Sequence, residues 1–155
     1  MENEEMNTSE RPSAVSVADI QAFLRQEFPQ TRVKVEAVGG MAATVRQSVG
    51  FAELRPGGTV SGPVMMALAD VALYVALFGE IGIVPLAVTT SLSFNFMRKP
   101  AGDRDLLAEC RLLKVGRHLA VGEVAIRTDG EPSLVAHAVG TYAIPSDAPA
   151  RPARS

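Results

Sequence analysis

The chain has 155 residues, 47% of them hydrophobic, and its net charge of −2 comes from 15 basic and 17 acidic side chains. This length predicts one domain with a sizeable core, and the near-neutral charge gives no electrostatic case for a nucleic-acid partner. One cysteine excludes an internal disulfide and a cysteine-only zinc site, and the acidic N-terminal residues lack an apolar signal segment, so a cytoplasmic protein is expected.

The first part of the chain predicts a tail, a helix and a hairpin. Residues 1–13 are polar and acidic, which is typical of a disordered segment. Ser16 is expected to cap a short helix, because apolar residues recur at helical spacing behind it. A turn at residues 39–40 is expected to join a strand that starts at Thr31 to a second strand over 41–49. The apolar face of the first strand is predicted to consist of Val33, Val35 and Ala37.

The stretch 63–78 is apolar or aromatic at every position except Asp70. Its first residue, a proline, suits an opening helical turn, Ser61 or Gly62 suits the N-cap, and Gly79 is expected to end the helix. A helix that is apolar all round must be buried, and this one is shorter than the roughly 20 residues of a membrane span. No membrane contact is therefore expected. A carboxylate inside such a helix is costly unless it is paired, hydrogen-bonded or protonated, which makes Asp70 the first candidate functional residue.

Four further strands joined by turns are predicted, over residues 86–97, 106–115, 118–128 and 133–144. Residues 146–155 are rich in Pro, Ala and Arg and predict a second disordered tail, which leaves one domain over 14–145. Antiparallel strands with a helix on one face form an α+β domain, and a sheet facing a wholly apolar helix must curl around it. The apolar faces left over predict a dimer or tetramer. Neither histidine has a spaced partner, so no metal and no cofactor are expected.

Four motifs fit this order of elements. A Gly-rich loop at 55–63 precedes Leu-Ala-Asp at 68–70, and a strand, turn and hairpin follow at 88–103 and 114–117. Together they resemble the hotdog-fold acyl-CoA thioesterases, in particular the phenylacetate-pathway (PaaI-like) branch, over about residues 33–144. The resemblance implies a curved antiparallel sheet around one long buried helix. It also implies an acyl-CoA substrate and a dimer with active sites at the subunit boundary.

The same resemblance implies roles for particular residues. Asp70 falls on the catalytic carboxylate, which acts as general base on water or as nucleophile on the thioester. Gly62 falls on the glycine whose backbone N–H polarises the thioester carbonyl, and Thr89, with Thr90 as a near alternative, falls where relatives hold water. Gly62 and Asp70 are eight residues apart, about 12 Å along a helix, so a site drawn from two subunits is expected.

The sequence departs from the family pattern at three positions, where Ser61 replaces a histidine, Arg55 replaces an asparagine and Pro63 replaces a glycine, which removes one backbone donor. Ser61 could still hydrogen-bond near the carbonyl, and Arg55 could bind an acyl carboxylate or a CoA phosphate. The other substrate-binding candidates lie in turns, where cations suit CoA phosphates, or on the central helix at the wall of the pocket. They are Gly58, Met66, Tyr74, Arg98, Lys99 and Arg117.

Two other functions stay open. The replacements at 55 and 61 are compatible with a non-catalytic acyl-CoA-binding hotdog protein. A hotdog hydratase is less favoured, because the expected Asp/His pair on one loop is missing. The low aromatic content, 5% with no tryptophan, favours aliphatic or short-chain acyl groups over aryl ones.

Overall fold

Two helices and six strands, in the predicted order, make up the computed structural model, which describes residues 13–148. The elements are α1 (Val17–Glu27), β1 (Lys34–Gly39), β2 (Ala42–Gln47), a 3-10 turn (Phe51–Glu53), α2 (Gly62–Ile81), β3 (Val88–Phe96), β4 (Leu106–Val115), β5 (Leu119–Thr128) and β6 (Leu134–Ala143). The disordered tails predicted at 1–13 and 146–155 lie outside the described residues, apart from residues 13 and 146–148. That division of the chain stays a prediction.

Helix α2 starts as its sequence predicts. Ser61 is the N-cap, with its hydroxyl accepting a hydrogen bond from the Val64 N–H at 3.4 Å, and the proline lies in the first turn. By length and composition α2 could cross a membrane, but 67% of its most apolar 18-residue window is buried within the protein. Its role is that of a core helix, as predicted.

The predicted end of α2 at Gly79 is wrong, because the helix continues to Ile81 and stops at Gly82, whose φ is +87°. Gly79 is buried within the helix, and a Cβ there would come within 2.6 Å of the Val38 side chain. The glycine thus permits a close approach to β1, whereas Gly82 supplies the left-handed backbone that ends a helix at low cost.

The strands form one antiparallel sheet in the order β1-β2-β4-β5-β6-β3, curved around α2. Val33 and Val35 are buried as predicted, but Ala37 is exposed because a bulge between Val35 and Ala37 shifts the register against β2. A bulge inserts one extra residue, so the side chains beyond it change faces. The alternation of apolar and polar residues in the sequence does not predict where such a bulge occurs.

Strand β3 is the last strand of this order and pairs only with β6. Within residues 13–148 its other edge has no partner strand. Most of β3 is exposed, and the large apolar side chains exposed on it or beside it are Leu86, Val88, Phe96 and Met97. An open, apolar strand edge is a surface on which another chain can pair.

Candidate active site

Asp70 lies midway along α2, where the helix faces the start of β3 and the end of β6. Its Oδ1 accepts hydrogen bonds from the hydroxyls of Thr89 on β3 and Tyr142 on β6, the latter at 2.8 Å. Within residues 13–148, Oδ2 accepts no hydrogen bond. One carboxylate oxygen is therefore anchored by two donors, while the other remains available to a substrate or a water molecule.

Tyr142 was missed by the sequence analysis. Its hydroxyl also lies 2.9 Å from the backbone carbonyl oxygen of Asp70. Both acceptors within reach of its single proton, this carbonyl oxygen and Oδ1, therefore belong to Asp70. Burial and the neighbouring Asp70 charge both raise the pKa of Tyr142, which keeps the hydroxyl protonated. The alternation of residues along β6 could have indicated it, because Tyr142 lies on the same inward face as Ala138. A tyrosine buried there needs a hydrogen-bond partner for its hydroxyl.

A cleft of about 470 Å³ opens beside the Asp70 carboxylate. Tyr74 lies in it as well, with its hydroxyl donating to the Pro85 carbonyl at 2.8 Å and its ring stacked 6.0 Å from Tyr142. Apart from Asp70, the walls are mainly aromatic and aliphatic, and the full lining is Phe23, Glu27, Phe28, Asp70, Val71, Tyr74, Pro85, Ala87, Val88, Thr89 and Tyr142. Such a cleft suits an apolar group held against the carboxylate.

The start of α2 lies at the other end of β3. A Cβ added at Gly62 would come within 3.3 Å of the Phe96 ring, so the helix start packs against the last residue of β3. Just before it, the Arg55 carbonyl accepts from the Gly58 N–H at 3.0 Å in a tight turn, and the Val60 N–H donates to Pro100 at 3.3 Å. Within the described residues the Gly62 N–H makes no hydrogen bond, as is usual in a first helical turn.

The predicted cations lie at both ends of the sheet. Arg98 and Lys99 line a second cavity of about 360 Å³, together with the ion pair between Arg104 and Glu131. Arg117 lies in the exposed turn between β4 and β5. Because the start of β5 pairs with the end of β6, and the end of β6 pairs with the start of β3, that turn is at the Asp70 end of the sheet.

The predicted site residues thus form two groups within one chain. Asp70, Thr89 and Tyr74 lie together, with Arg117 at the same end of the sheet. Met66 lies on α2 between the groups and is 41% exposed. Thr89 and Phe96 are seven positions apart on β3, about 23 Å in an extended strand. The second group, at the far end of β3, consists of Arg55, Gly58, Ser61, Gly62, Arg98 and Lys99.

The sequence matches the family model of the Thioesterase superfamily over residues 57–135. Among solved structures, a candidate thioesterase from Silicibacter sp. TM1040 is 44% identical, with a TM-score of 0.79 over 86% of this chain and 94% of that chain. No curated protein matches the sequence significantly.

Two more distant likenesses concern the fold alone. Zebrafish thioesterase superfamily member 2 is 19% identical, with a TM-score of 0.76 over 85% of this chain and 100% of that chain. The E. coli PaaI protein from the phenylacetic acid degradation operon is 18% identical, with a TM-score of 0.71 over 82% and 91%.

Proposed function

Because this chain belongs to the thioesterase superfamily, we propose that it hydrolyses an acyl-CoA thioester to a carboxylate and free CoA. The observation that carries the proposal is the Asp70 carboxylate, which has one anchored and one free oxygen at the wall of an apolar cleft. In this assignment the acyl group occupies the cleft and the thioester carbonyl lies beside Asp70.

The chemistry follows from the free oxygen. Acting as general base, Oδ2 takes a proton from water while the water oxygen bonds to the thioester carbon. The tetrahedral intermediate then expels the CoA sulfur, which leaves with the C–S electron pair and receives the proton. Acting as nucleophile, the same oxygen would attack the carbon directly and expel CoA as the thiolate, which takes the C–S electron pair. The resulting anhydride is then hydrolysed by water to the two carboxylates, and the thiolate takes up a proton released in that step. Either route builds negative charge on the carbonyl oxygen, which needs donors.

Those donors are proposed to come from a second copy of the chain. The Gly62 N–H at the positive end of α2 suits an oxyanion, but it is about 12 Å from Asp70 along the same helix. If two β3 edges pair antiparallel about a twofold axis, the Thr89 end of one chain lies beside the Phe96 end of the other. The Gly62 group of one subunit then faces Asp70 of its partner.

The first prediction therefore concerns assembly. We expect a dimer or a dimer of dimers, because the open β3 edge carries exposed apolar side chains and the site is incomplete in one chain. Sedimentation at micromolar concentration should give a mass at least twice the 16.4 kDa of one chain. A single 16 kDa species across that concentration range would contradict the two-subunit site.

The second prediction concerns CoA. Arg117, at the Asp70 end of the sheet, is proposed to bind CoA phosphates together with Arg98 or Lys99 of the facing subunit. Arg117→Ala should raise KM more than it lowers kcat, the pattern of lost uniform binding. Arg111→Ala, which removes an exposed arginine from the middle of β4, is the matched control and should change neither. Equal CoA affinity of wild type and Arg117→Ala at low and high salt would exclude this role.

The overall proposal is tested by detecting free thiol across acyl-CoA substrates of increasing chain length. Turnover above spontaneous hydrolysis supports an enzyme. Tight acyl-CoA binding without turnover would instead favour the non-catalytic binding protein that Ser61 and Arg55 make the second candidate.

A further inference from the structure

We propose that Tyr142 is a positioning residue, which with Thr89 occupies Oδ1 of Asp70 and so makes Oδ2 the reacting oxygen. This inference rests on the proposed function, because it assigns the oxygen through which Asp70 would act. It concerns a residue that the sequence motifs do not include.

The position of the Tyr142 hydroxyl is determined by the sheet. Strand β6 pairs on one side with β5 and on the other with β3, with Tyr142 opposite Ala120 and Thr89. Its ring is 5% exposed and stacks on Tyr74. A ring that is buried and stacked in this way has few alternative rotamers, so its hydroxyl remains a fixed donor.

The two acceptors of Tyr142 connect the side chain to the helix. Its hydroxyl lies within hydrogen-bond distance of both Oδ1 and the backbone carbonyl of Asp70. Rotation of the carboxylate about its Cβ–Cγ bond would remove Oδ1 from both Tyr142 and Thr89, at the cost of two charge-assisted hydrogen bonds. The carboxylate is therefore held with Oδ2 free.

This arrangement gives the proton a defined path. Oδ2 accepts the proton of the attacking water, and the two hydroxyls stay bonded to Oδ1 as the new carboxyl group forms. The proton then passes from Oδ2 to the leaving sulfur, which restores the carboxylate. Neither tyrosine nor threonine gains or loses a proton in this cycle.

Tyr142→Phe tests the assignment, and Tyr74→Phe is its matched control. Both remove one hydroxyl from the same cleft, but the Tyr74 hydroxyl donates to Pro85 and not to Asp70. Tyr142→Phe should lower kcat by about 10- to 100-fold, the loss expected for a hydrogen bond to a charged group, and should change KM little. Because Tyr74 lines the proposed acyl cleft, Tyr74→Phe is expected to act on KM.

A split between kcat and KM separates positioning from a merely structural role. The Tyr142 hydroxyl bonds to Asp70, so its loss should appear in kcat. The Tyr74 hydroxyl bonds to Pro85 at the wall of the cleft, so its loss should appear in KM. An unchanged kcat in Tyr142→Phe, or an equal loss of kcat in both variants, would overturn the proposal.

A double variant distinguishes failure of this inference from failure of the proposed function. In an Asp70→Asn background, Tyr142→Phe should have no further effect on residual hydrolysis, because the hydroxyl acts through the carboxylate. An inactive Asp70→Asn with a fully active Tyr142→Phe overturns only the positioning role, whereas an active Asp70→Asn overturns the proposed site itself.

If Tyr142→Phe does not fold, Thr89→Val tests the same oxygen assignment. Its control is Thr44→Val on β2, which strands β4 and β5 separate from β6 in the sheet. Thr89→Val should lower kcat with little change in KM, and Thr44→Val should change neither. Equal kinetics of the two threonine variants would refute the assignment of Oδ1 as the anchored oxygen.

Discussion

Asp70→Asn is expected to lower thioester hydrolysis by at least about 100-fold, the lower end of what acid–base catalysis contributes. The amide keeps the shape of the carboxylate, and its oxygen can still accept from Thr89 and Tyr142. It cannot act as a base or a nucleophile at the position of Oδ2. Free-thiol release, melting temperature and acyl-CoA affinity should be measured together on the variant and the wild type.

The control for this variant is Asp19→Asn, which makes the same chemical change at an exposed position in the first turn of α1. It should leave hydrolysis unchanged. If Asp70→Asn is stable and hydrolyses as fast as wild type, the site assignment is wrong. If it unfolds or loses its oligomeric state, Asp70 has a structural role and the lost activity is secondary. A binding protein would show no turnover even as wild type.

Phe78→Ala is expected to have the largest effect on stability, about 3–5 kcal/mol in the free energy of unfolding. The Phe78 ring is fully buried and lies 5.4 Å from Phe23 and 4.2 Å from Tyr74. Its removal would leave a cavity directly behind the cleft, because Phe23 and Tyr74 also line that cleft. Denaturant unfolding measures the loss.

Phe51→Ala is the matched control, because Phe51 is 94% exposed. The same truncation should change the unfolding free energy by less than about 0.5 kcal/mol. Comparable losses for the two phenylalanines would mean that the 3-10 turn carrying Phe51 is covered by another subunit, or that α2 is not the centre of the core.

One expectation about the substrate rests on whole-chain composition and stays a prediction. The chain has only six phenylalanines and two tyrosines, which favoured aliphatic or short-chain acyl groups. Yet Phe23, Phe28 and both tyrosines line the cleft beside Asp70. A whole-chain average carries no information about where side chains meet, so the low aromatic content does not argue against an aryl acyl group.

Local sequence was sufficient for the order of the helices and strands and for choosing Asp70 as the first candidate. The N-cap at Ser61, the proline after it and the wholly apolar run beyond depend only on neighbouring residues, and they predicted α2 correctly at its start. Asp70 was conspicuous because a carboxylate within an apolar run is costly to bury unless it is paired or hydrogen-bonded. The end of α2 was misplaced, because whether Gly79 stops a helix or permits close packing depends on what lies opposite, here Val38 of β1.

The hydrogen-bond partners of the Asp70 carboxylate were determined only by the tertiary structure. The hydrogen bond from Tyr142 to Asp70 joins residues 72 apart in sequence, and it exists because β6 lies between β5 and β3 in the sheet. No local pattern predicts that strand order or the open β3 edge that results from it. Periodicity and capping act over a few residues and determine each element, whereas the partners of the Asp70 carboxylate depend on which strands pair.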